Sequence, residues 1–300
     1  MERAALASLG IRRRDVLRRS RALSAVAAAA AATGCSPASF LDAFVPESGC
    51  RLIADRRFRE GQRGLLDLYL PDKGSAPLAT VVFIYGGNWR SGAKGDYRFV
   101  GQALASRGVA VAIPDYRLFP EVRYPTFLED NAAAFAWVAM EASGFGLDPA
   151  RLYLMGHSAG AYNAAMLALD GRWLGARGLD PRRDLCGFVG LAGPYDFLPL
   201  DANVGAVLGS AGDPRETQPI FFVAGGEAPM LLATGLDDTV VRPQNSMRLA
   251  DAVRAKGGRA ELKTYPGVGH VALIADVAAP LQSKGTPVIE DVVAFIRSSV

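Results

Sequence analysis

The stretch RLYLMGHSAGAYNAAMLALD, residues 151 to 170, decides how the rest of this 300-residue chain is read. The apolar run RLYLM (Arg151 to Met155) has the look of a buried strand, and helical spacing begins at Ala159 and holds to about Leu169. Between them Gly156, Ser158 and Gly160 form G-x-S-x-G. A strand that turns directly into a helix through this motif makes a nucleophile elbow. The turn is sharp enough to strain the serine backbone, and the glycines remove side chains that would collide with the neighbouring strand and helix. The serine hydroxyl then lies at a helix N-terminus, where amide donors are unpaired. A chain of this length contains the motif by chance about one time in ten, so its weight comes from its placement.

A nucleophilic serine needs a base, and the chain has two histidines, His157 and His270. His157 adjoins the serine inside the elbow, so its side chain points away from the hydroxyl. His270, in YPGVGHVAL, is expected in a loop just after the last strand and follows the serine in chain order. The third member is an acid that orients the imidazole and stabilises its protonated form. ATGLDDTVV offers Asp237 and Asp238 at the end of the MLLAT strand, the carboxyl edge where ligands gather in parallel sheets.

Working outward, short apolar runs alternate with amphipathic stretches. CRLIADRRF and LLDLYLP read as antiparallel strands, while VVFIY (Val81 to Tyr85) is apolar throughout, as a strand buried on both faces would be. The remaining expected strands are VAVAIPDY, GFVGLA, MLLAT and ELKTY. Helices are expected near Tyr97 to Ser106, Leu128 to Ala142, Ala159 to Leu169, Gln244 to Ala255, and over PVIEDVVAFIRSS. This alternation means an α/β fold with a mostly parallel central sheet and helices on both faces. Residues 49–300 are read as one domain. The irregular stretch from Gly193 to Pro229 is its only sizeable insertion and is expected to roof the cleft, with no large cap domain.

Half of the residues are hydrophobic and the formal charge is +3, unevenly placed. Residues 1 to 21 hold seven arginines against Glu2 and Asp15, so the rest of the chain carries about −2 and is no nucleic-acid binder on charge grounds. The basic segment IRRRDVLRRSR precedes the uncharged ALSAVAAAAAATG (Ala22 to Gly34), which is far shorter than the roughly 20 residues of a bilayer span. Residues 1–34 are therefore read as an export signal and 35–48 as a linker. RRDVLR resembles a twin-arginine motif. ATGC resembles a lipobox, with Ala where Leu is usual, and would place a lipid anchor on Cys35 as the only membrane attachment. The expected location is periplasmic or membrane-anchored in a bacterium. Cys50 and Cys186 remain, either bonded to each other or as two unpaired thiols.

Taken with their order and spacing, LDLYLP, VVFIYGGNWRSG, PDYRLFPE, YPTFLEDNAAAFAWV, DPARLYLMGHSAGA, GLDDTVV and GVGH resemble an α/β-hydrolase of the carboxylesterase type. The nearest groups are the hormone-sensitive-lipase-like esterases and the small feruloyl-esterase and kynurenine-formamidase-like enzymes. The resemblance covers about residues 50 to 298. It implies acyl transfer to water through an acyl-enzyme, with Ser158, Asp238 and His270 as triad and no metal or organic cofactor; the D-x-V-V register favours Asp238 over Asp237. Related esterases carry HGGG or HGGxW after the strand equivalent to VVFIY. This chain has Tyr85, Gly86, Gly87, Asn88 and Trp89 there. The amides of Gly87, Asn88 and Ala159 are expected to form the oxyanion hole, since Asn tolerates positive φ better than most residues. Tyr85, Trp89, Tyr162 and Tyr195 are candidate pocket residues, with Phe197 beside them. The expected substrate is a small to medium soluble ester. An amidase or peptidase on the same scaffold and a catalytically silent binding protein are the alternatives; the oligomeric state is left open.

Overall fold

Apolar runs bounded by glycine and proline pair into an eight-stranded sheet in the computed structural model, which describes residues 48–72, 78–278 and 286–299. The export signal, Cys35 and most of the linker lie outside the described residues. The strands are β1 (Cys50–Arg57), β2 (Leu65–Pro71), β3 (Leu78–Ile84), β4 (Ala110–Pro114), β5 (Leu147–His157), β6 (Gly187–Leu191), β7 (Met230–Gly235) and β8 (Ala260–Tyr265). The helices are α1 (Arg98–Ala105), α2 (Thr126–Glu141), α3 (Ala159–Leu169), α4 (Gly171–Gly175), α5 (Pro181–Asp184), α6 (Ala202–Leu208), α7 (Gln244–Ala255), α8 (His270–Ala275) and α9 (Val288–Ser298).

Spatial order is β1-β2-β4-β3-β5-β6-β7-β8. β1 and β2 pair antiparallel, β2 pairs antiparallel with β4, and every other neighbouring pair is parallel. Burial follows the same order. Central β4, β6 and β7 are buried at every position. At one rim, β1 exposes Arg51, Asp55, Arg56 and Arg57, charges that discourage a further strand from adding there.

This order locates the site before any side chain is considered. From β3 the chain crosses to β4 on one side, then returns past β3 to β5 on the other. The loops leaving β3 and β5 therefore diverge, and a crevice opens outside the carboxyl ends of these two strands. FIYGGNWRSG leaves β3 there, and the serine motif leaves β5, with Ile84 and Gly156 paired across the ladder.

Two expectations change and one open alternative is decided. His270 is not in a loop: it is the first residue of α8, whose N-cap is Gly269. The stretch from Gly193 to Pro229 is not wholly irregular, because Asp201 caps α6 by accepting from the amides of Asn203 and Val204, and two 3-10 turns follow at Pro214–Thr217 and Pro219–Phe222. Cys50 and Cys186 are both free and half-buried. Cys50 starts β1 and Cys186 precedes β6, with four strands between. At about 4.8 Å per strand they are roughly 24 Å apart, well beyond the ~7 Å limit of a disulfide. Among the described residues no helix is long and apolar enough to cross a membrane.

Candidate active site

The elbow is built by glycines that stand where no Cβ fits. A Cβ on Gly156 would lie 2.3 Å from the Gly160 carbonyl oxygen, and one on Gly160 would lie 2.0 Å from that of Ile84. With the strand, turn and helix in direct contact, Ser158 is forced to φ 56° and ψ −126°. Such a conformation costs about 1–3 kcal/mol and persists only where the surroundings hold it. Two hydrogen bonds do so: the Ser158 amide donates to Leu191 O at 2.9 Å, and the Tyr162 amide donates to Ser158 O at 3.1 Å.

The loops after β7 and β8 bring the base and acid to this serine. Ser158 Oγ lies 2.9 Å from His270 Nε2, and His270 Nδ1 lies 2.7 Å from Asp238 Oδ2. The second Asp238 oxygen accepts from the amides of Val240 and Val241, both at 2.9 Å. Burial opposes charge on Asp238, but the bond to His270 and these two amides outweigh it and hold the carboxyl below its usual range. The carboxylate thus stays ionised and fixes hydrogen on His270 Nδ1, leaving Nε2 free to take the serine proton. Asp237 is exposed and its amide is bonded to Val268 O, so the geometry selects Asp238.

His157 stands beside this relay without joining it. Its ring lies 4.9 Å from that of His270, and its Nε2 is 3.3 Å from the His270 carbonyl oxygen. Because a carbonyl only accepts, Nε2 carries the hydrogen, and Nδ1 is buried without a partner. Burial, with the neighbouring His270 in support, lowers its pKa to about 3.

Opposite the relay, three consecutive residues of the loop after β3 have positive φ: Gly87 at 119°, Asn88 at 53° and Trp89 at 57°. Two glycines serve different ends here. Gly86 permits contact with the nucleophile, since its Cβ would sit 3.0 Å from Ser158 Cβ and 2.9 Å from His157 O. Gly87 permits the turn, whose carbonyl then accepts from the amides of Arg90 and Ser91. The Gly86 amide is taken up by Tyr97. Among the described residues the amides of Gly87, Asn88 and Ala159 have no hydrogen-bond partner, the condition an oxyanion hole requires.

The four candidate pocket aromatics prove to be buried core. Tyr85, Tyr162 and Tyr195 are wholly inaccessible and Trp89 is 3% exposed. Tyr85 is stacked between Tyr97 and Tyr116, with its hydroxyl bonded to Asp115 and Arg63. Trp89 donates its indole hydrogen to Asn163 Oδ1 at 2.9 Å and packs edge-on against Tyr162, which ties the loop to α3. Tyr195 lies under β6, its hydroxyl against Gly190. Phe197 is partly exposed and packs edge-on against Tyr162. An aromatic near a glycine loop gives no sign in sequence of which way it faces. Arg63, Asp115 and Asn163 were not foreseen, because each acts on the loop from another element. Among the described residues no group of three or more His, Cys, Asp or Glu is gathered that could hold a metal ion.

Comparison with known proteins follows this geometry. The BD-FAE family model matches residues 66–253, and the prolyl oligopeptidase family model matches residues 210–297. The chain is 30% identical over 257 residues to the isoprenylcysteine alpha-carbonyl methylesterase of Arabidopsis thaliana, a match covering 79% of this chain and 60% of that protein. It is 35% identical over 132 residues to a carboxylesterase of Mycobacterium tuberculosis, covering 41% of each. The chain spans between 53% and 64% of the length of the plant relatives it matches. Esterase B from Lactobacillus rhamnosis shares the fold with a TM-score of 0.75 at 23% identity over 95% of both chains. A truncated carbohydrate esterase from gut microbiota does so at 0.73 and 22% identity, over 85% of this chain and 98% of that one. These likenesses establish the α/β-hydrolase fold.

Two outcomes are expected. Gly86→Ala pushes the loop away from Ser158, so any acyl transfer through Ser158 should slow about 100-fold, the loss typical of one oxyanion donor, while the circular dichroism spectrum is kept. The second concerns pH. Folded His157 takes up a proton near pH 3 but an unfolded histidine does so near 6.5, so the unfolded state binds more protons in between. Its contribution is whole above pH 6.5 and is lost as pH falls, by at most about 1.4 kcal/mol per pH unit. Asp238 acts in the same direction only below about pH 4. Urea unfolding of His157→Gln between about pH 4 and 6.5 should therefore show a flatter decline than wild type.

Proposed function

The chain belongs to the BD-FAE family, and from that premise we propose that it is a serine carboxylic-ester hydrolase acting on small to medium soluble esters. One observation carries the reading: an unbroken relay from Ser158 Oγ through His270 to Asp238, at 2.9 and 2.7 Å, beside a loop in which the amides of Gly87 and Asn88 have no partner among the described residues. As the Ser158 oxygen attacks the ester carbonyl, His270 Nε2 takes its proton. The amides of Gly87, Asn88 and Ala159 receive the negative charge that develops on the carbonyl oxygen. Collapse of that adduct returns the proton from His270 to the departing alcohol and leaves an acyl group on Ser158. Water, deprotonated by the same nitrogen, then releases the acid.

The short roof supports a small substrate. The connection from Gly193 to Pro229 holds only the seven-residue α6 and two 3-10 turns. α6 is fastened by Arg90 to Asn203 O at 3.0 Å, by Arg123 to Ala206 O, and by the Tyr124 amide to Val207 O at 3.0 Å. The plant relative is a methylesterase, which suits a small alcohol as leaving group. A second reading, an amidase or peptidase, is favoured by the prolyl oligopeptidase match over residues 210–297, the part that contributes Asp238 and His270.

Export with acylation of Cys35 is the reading of the N-terminus, supported by the arginine-rich segment before an uncharged run that ends in ATGC. A lipid anchor there is the membrane attachment of this reading, which places the protein in the periplasm or anchored to a bacterial membrane.

The full chain should hydrolyse p-nitrophenyl acetate and butyrate, and Ser158→Ala should lower turnover by at least about 10⁴-fold. Faster cleavage of aminoacyl anilides than of esters would select the amidase reading, and failure of a fluorophosphonate to label Ser158 would leave a binding protein. Cys35→Ser should abolish incorporation of radiolabelled palmitate while keeping esterase activity; palmitate incorporation that survives the change would remove the anchor.

A further inference from the structure

The loop after β3 has positive φ at Gly87, Asn88 and Trp89, the last two strained, and groups from other elements restrain it. Arg63 sits at the end of the turn joining β1 to β2, two residues before β2, which lies three strands from the one that carries the nucleophile. This turn has little freedom: Gly64 O accepts from the amides of Phe58 and Arg59, and a Cβ on Gly64 would meet Arg59 O at 1.9 Å. From that base the Arg63 guanidinium reaches both ends of the loop. Its Nη2 donates to Tyr85 Oη at 2.7 Å, where the loop begins, and to Gly92 O at 2.5 Å, where it ends. Its Nε donates to Tyr116 O at 2.7 Å.

Asp115 completes the clip from β4. One of its oxygens accepts from the Tyr85 hydroxyl at 2.8 Å and from the Lys94 amide at 2.9 Å, and lies 3.6 Å from Arg63 Nη2. The Lys94 ammonium pairs with Asp55 and Asp67 at 2.8 and 2.7 Å, which binds the segment after the loop to the same two strands. Tyr116 returns a bond from its hydroxyl to Tyr85 O at 2.9 Å. Charged groups line the outer side of this clip, where Arg63 and Asp115 border a cavity of about 620 Å³ lined also by Asp55, Arg59, Lys94 and Arg117. Burial raises the Tyr85 pKa, so the phenol keeps its hydrogen and can receive from Arg63 while donating to Asp115.

We propose that Arg63, acting through Tyr85 and Gly92, is a positioning residue for the oxyanion hole. It fixes the distance between the two ends of the loop so that the amides of Gly87 and Asn88 face the space above Ser158. The inference rests on the ester-hydrolase reading and adds to it a residue that never touches substrate. Lysine cannot replace it fully: a guanidinium spans the Tyr85 oxygen, the Gly92 carbonyl and the Tyr116 carbonyl from one planar group, whereas an ammonium is a point donor on a flexible stem.

The experiment compares full-length wild type, Arg63→Gln, Arg63→Lys and Tyr85→Phe on p-nitrophenyl acetate, with active sites titrated by fluorophosphonate. For Arg63→Gln, kcat per titrated site should fall about 30-fold while KM stays within about twofold, since a displaced donor weakens the transition state and not ground-state binding. Tyr85→Phe should lose about 10-fold and Arg63→Lys an intermediate amount. The inhibition constant of an aryl trifluoromethyl ketone, which forms an oxyanion on Ser158, should rise in proportion to each loss of kcat. Unchanged kcat per titrated site, even with a lower melting temperature, would overturn the proposal. So would a rise in KM with kcat intact, or a fall in kcat with the ketone bound as tightly as before. If Arg63→Gln does not fold, Tyr85→Phe decides alone, because it keeps the stacked ring and removes only the hydroxyl. Absence of turnover in the wild type would count against the ester-hydrolase reading instead.

Discussion

Between the end of β3 and the start of α3 there is no space for a side chain. Gly160 faces the carbonyl oxygens of Ile84 and Tyr85, with a hypothetical Cβ 2.0 and 2.4 Å away, and Gly156 faces Gly160 in the same manner. That contact sets the depth at which the serine turn sits against the neighbouring strand. It obliges Ser158 to adopt positive φ, which lifts its hydroxyl out of the turn toward His270. It also brings the loop after β3 against Ser158 Cβ, so that a third glycine, Gly86, becomes necessary. Nucleophile and loop are thereby placed by one backbone contact, and rearrangement at either would be felt at the other.

Much of this was legible in the sequence, for reasons that differ from residue to residue. Backbone constraints leave marks: a glycine is required where a Cβ would overlap, so G-x-S-x-G and the Gly86–Gly87 pair could be read directly. Scarcity did the same for His270, one of two histidines and the one not adjoining the serine. Burial on both faces leaves uninterrupted apolar runs, which located β3, β4, β6 and β7. The choice between Asp237 and Asp238 depends on which carboxylate faces the imidazole; the D-x-V-V register favours Asp238, and the bond from His270 shows it directly. The direction of an aromatic ring is likewise a tertiary matter. Tyr85, Trp89, Tyr162 and Tyr195 have the composition of a pocket wall and the burial of a core. Hydrogen bonds between distant elements leave no local pattern at all, which is why Arg63 and Asn163 passed unnoticed. The helix that begins at His270 leaves little mark in the sequence, because glycines precede it and it has only six residues.

Two imidazoles 4.9 Å apart pose an electrostatic problem that the structure answers by burial. In the proposed reaction the base at His270 becomes cationic at each acyl transfer. A second cation at that distance would oppose it, and His157 is kept neutral by exclusion from water down to about pH 3. Its hydrogen-bearing nitrogen is directed to the His270 carbonyl, so the residue assists in placing the base without competing for the proton. The cost is an unpartnered Nδ1 in the interior. Such a defect is tolerable beside a strained serine that the surrounding sheet already holds.

The direction in which the chain enters the sheet bears on how this molecule would meet its substrate. Cys50 pairs with Pro71, whereas Leu66, at the other end of β2, pairs with the carboxyl end of β4 at Pro114. The first described residues thus join at the amino ends of the parallel strands, beneath the sheet, and the serine cleft opens above it. A strand of six residues separates the two levels by about 20 Å. Ser48 and the serine cleft therefore lie at opposite edges of the sheet, and the whole length of the parallel strands separates the first described residues from the nucleophile.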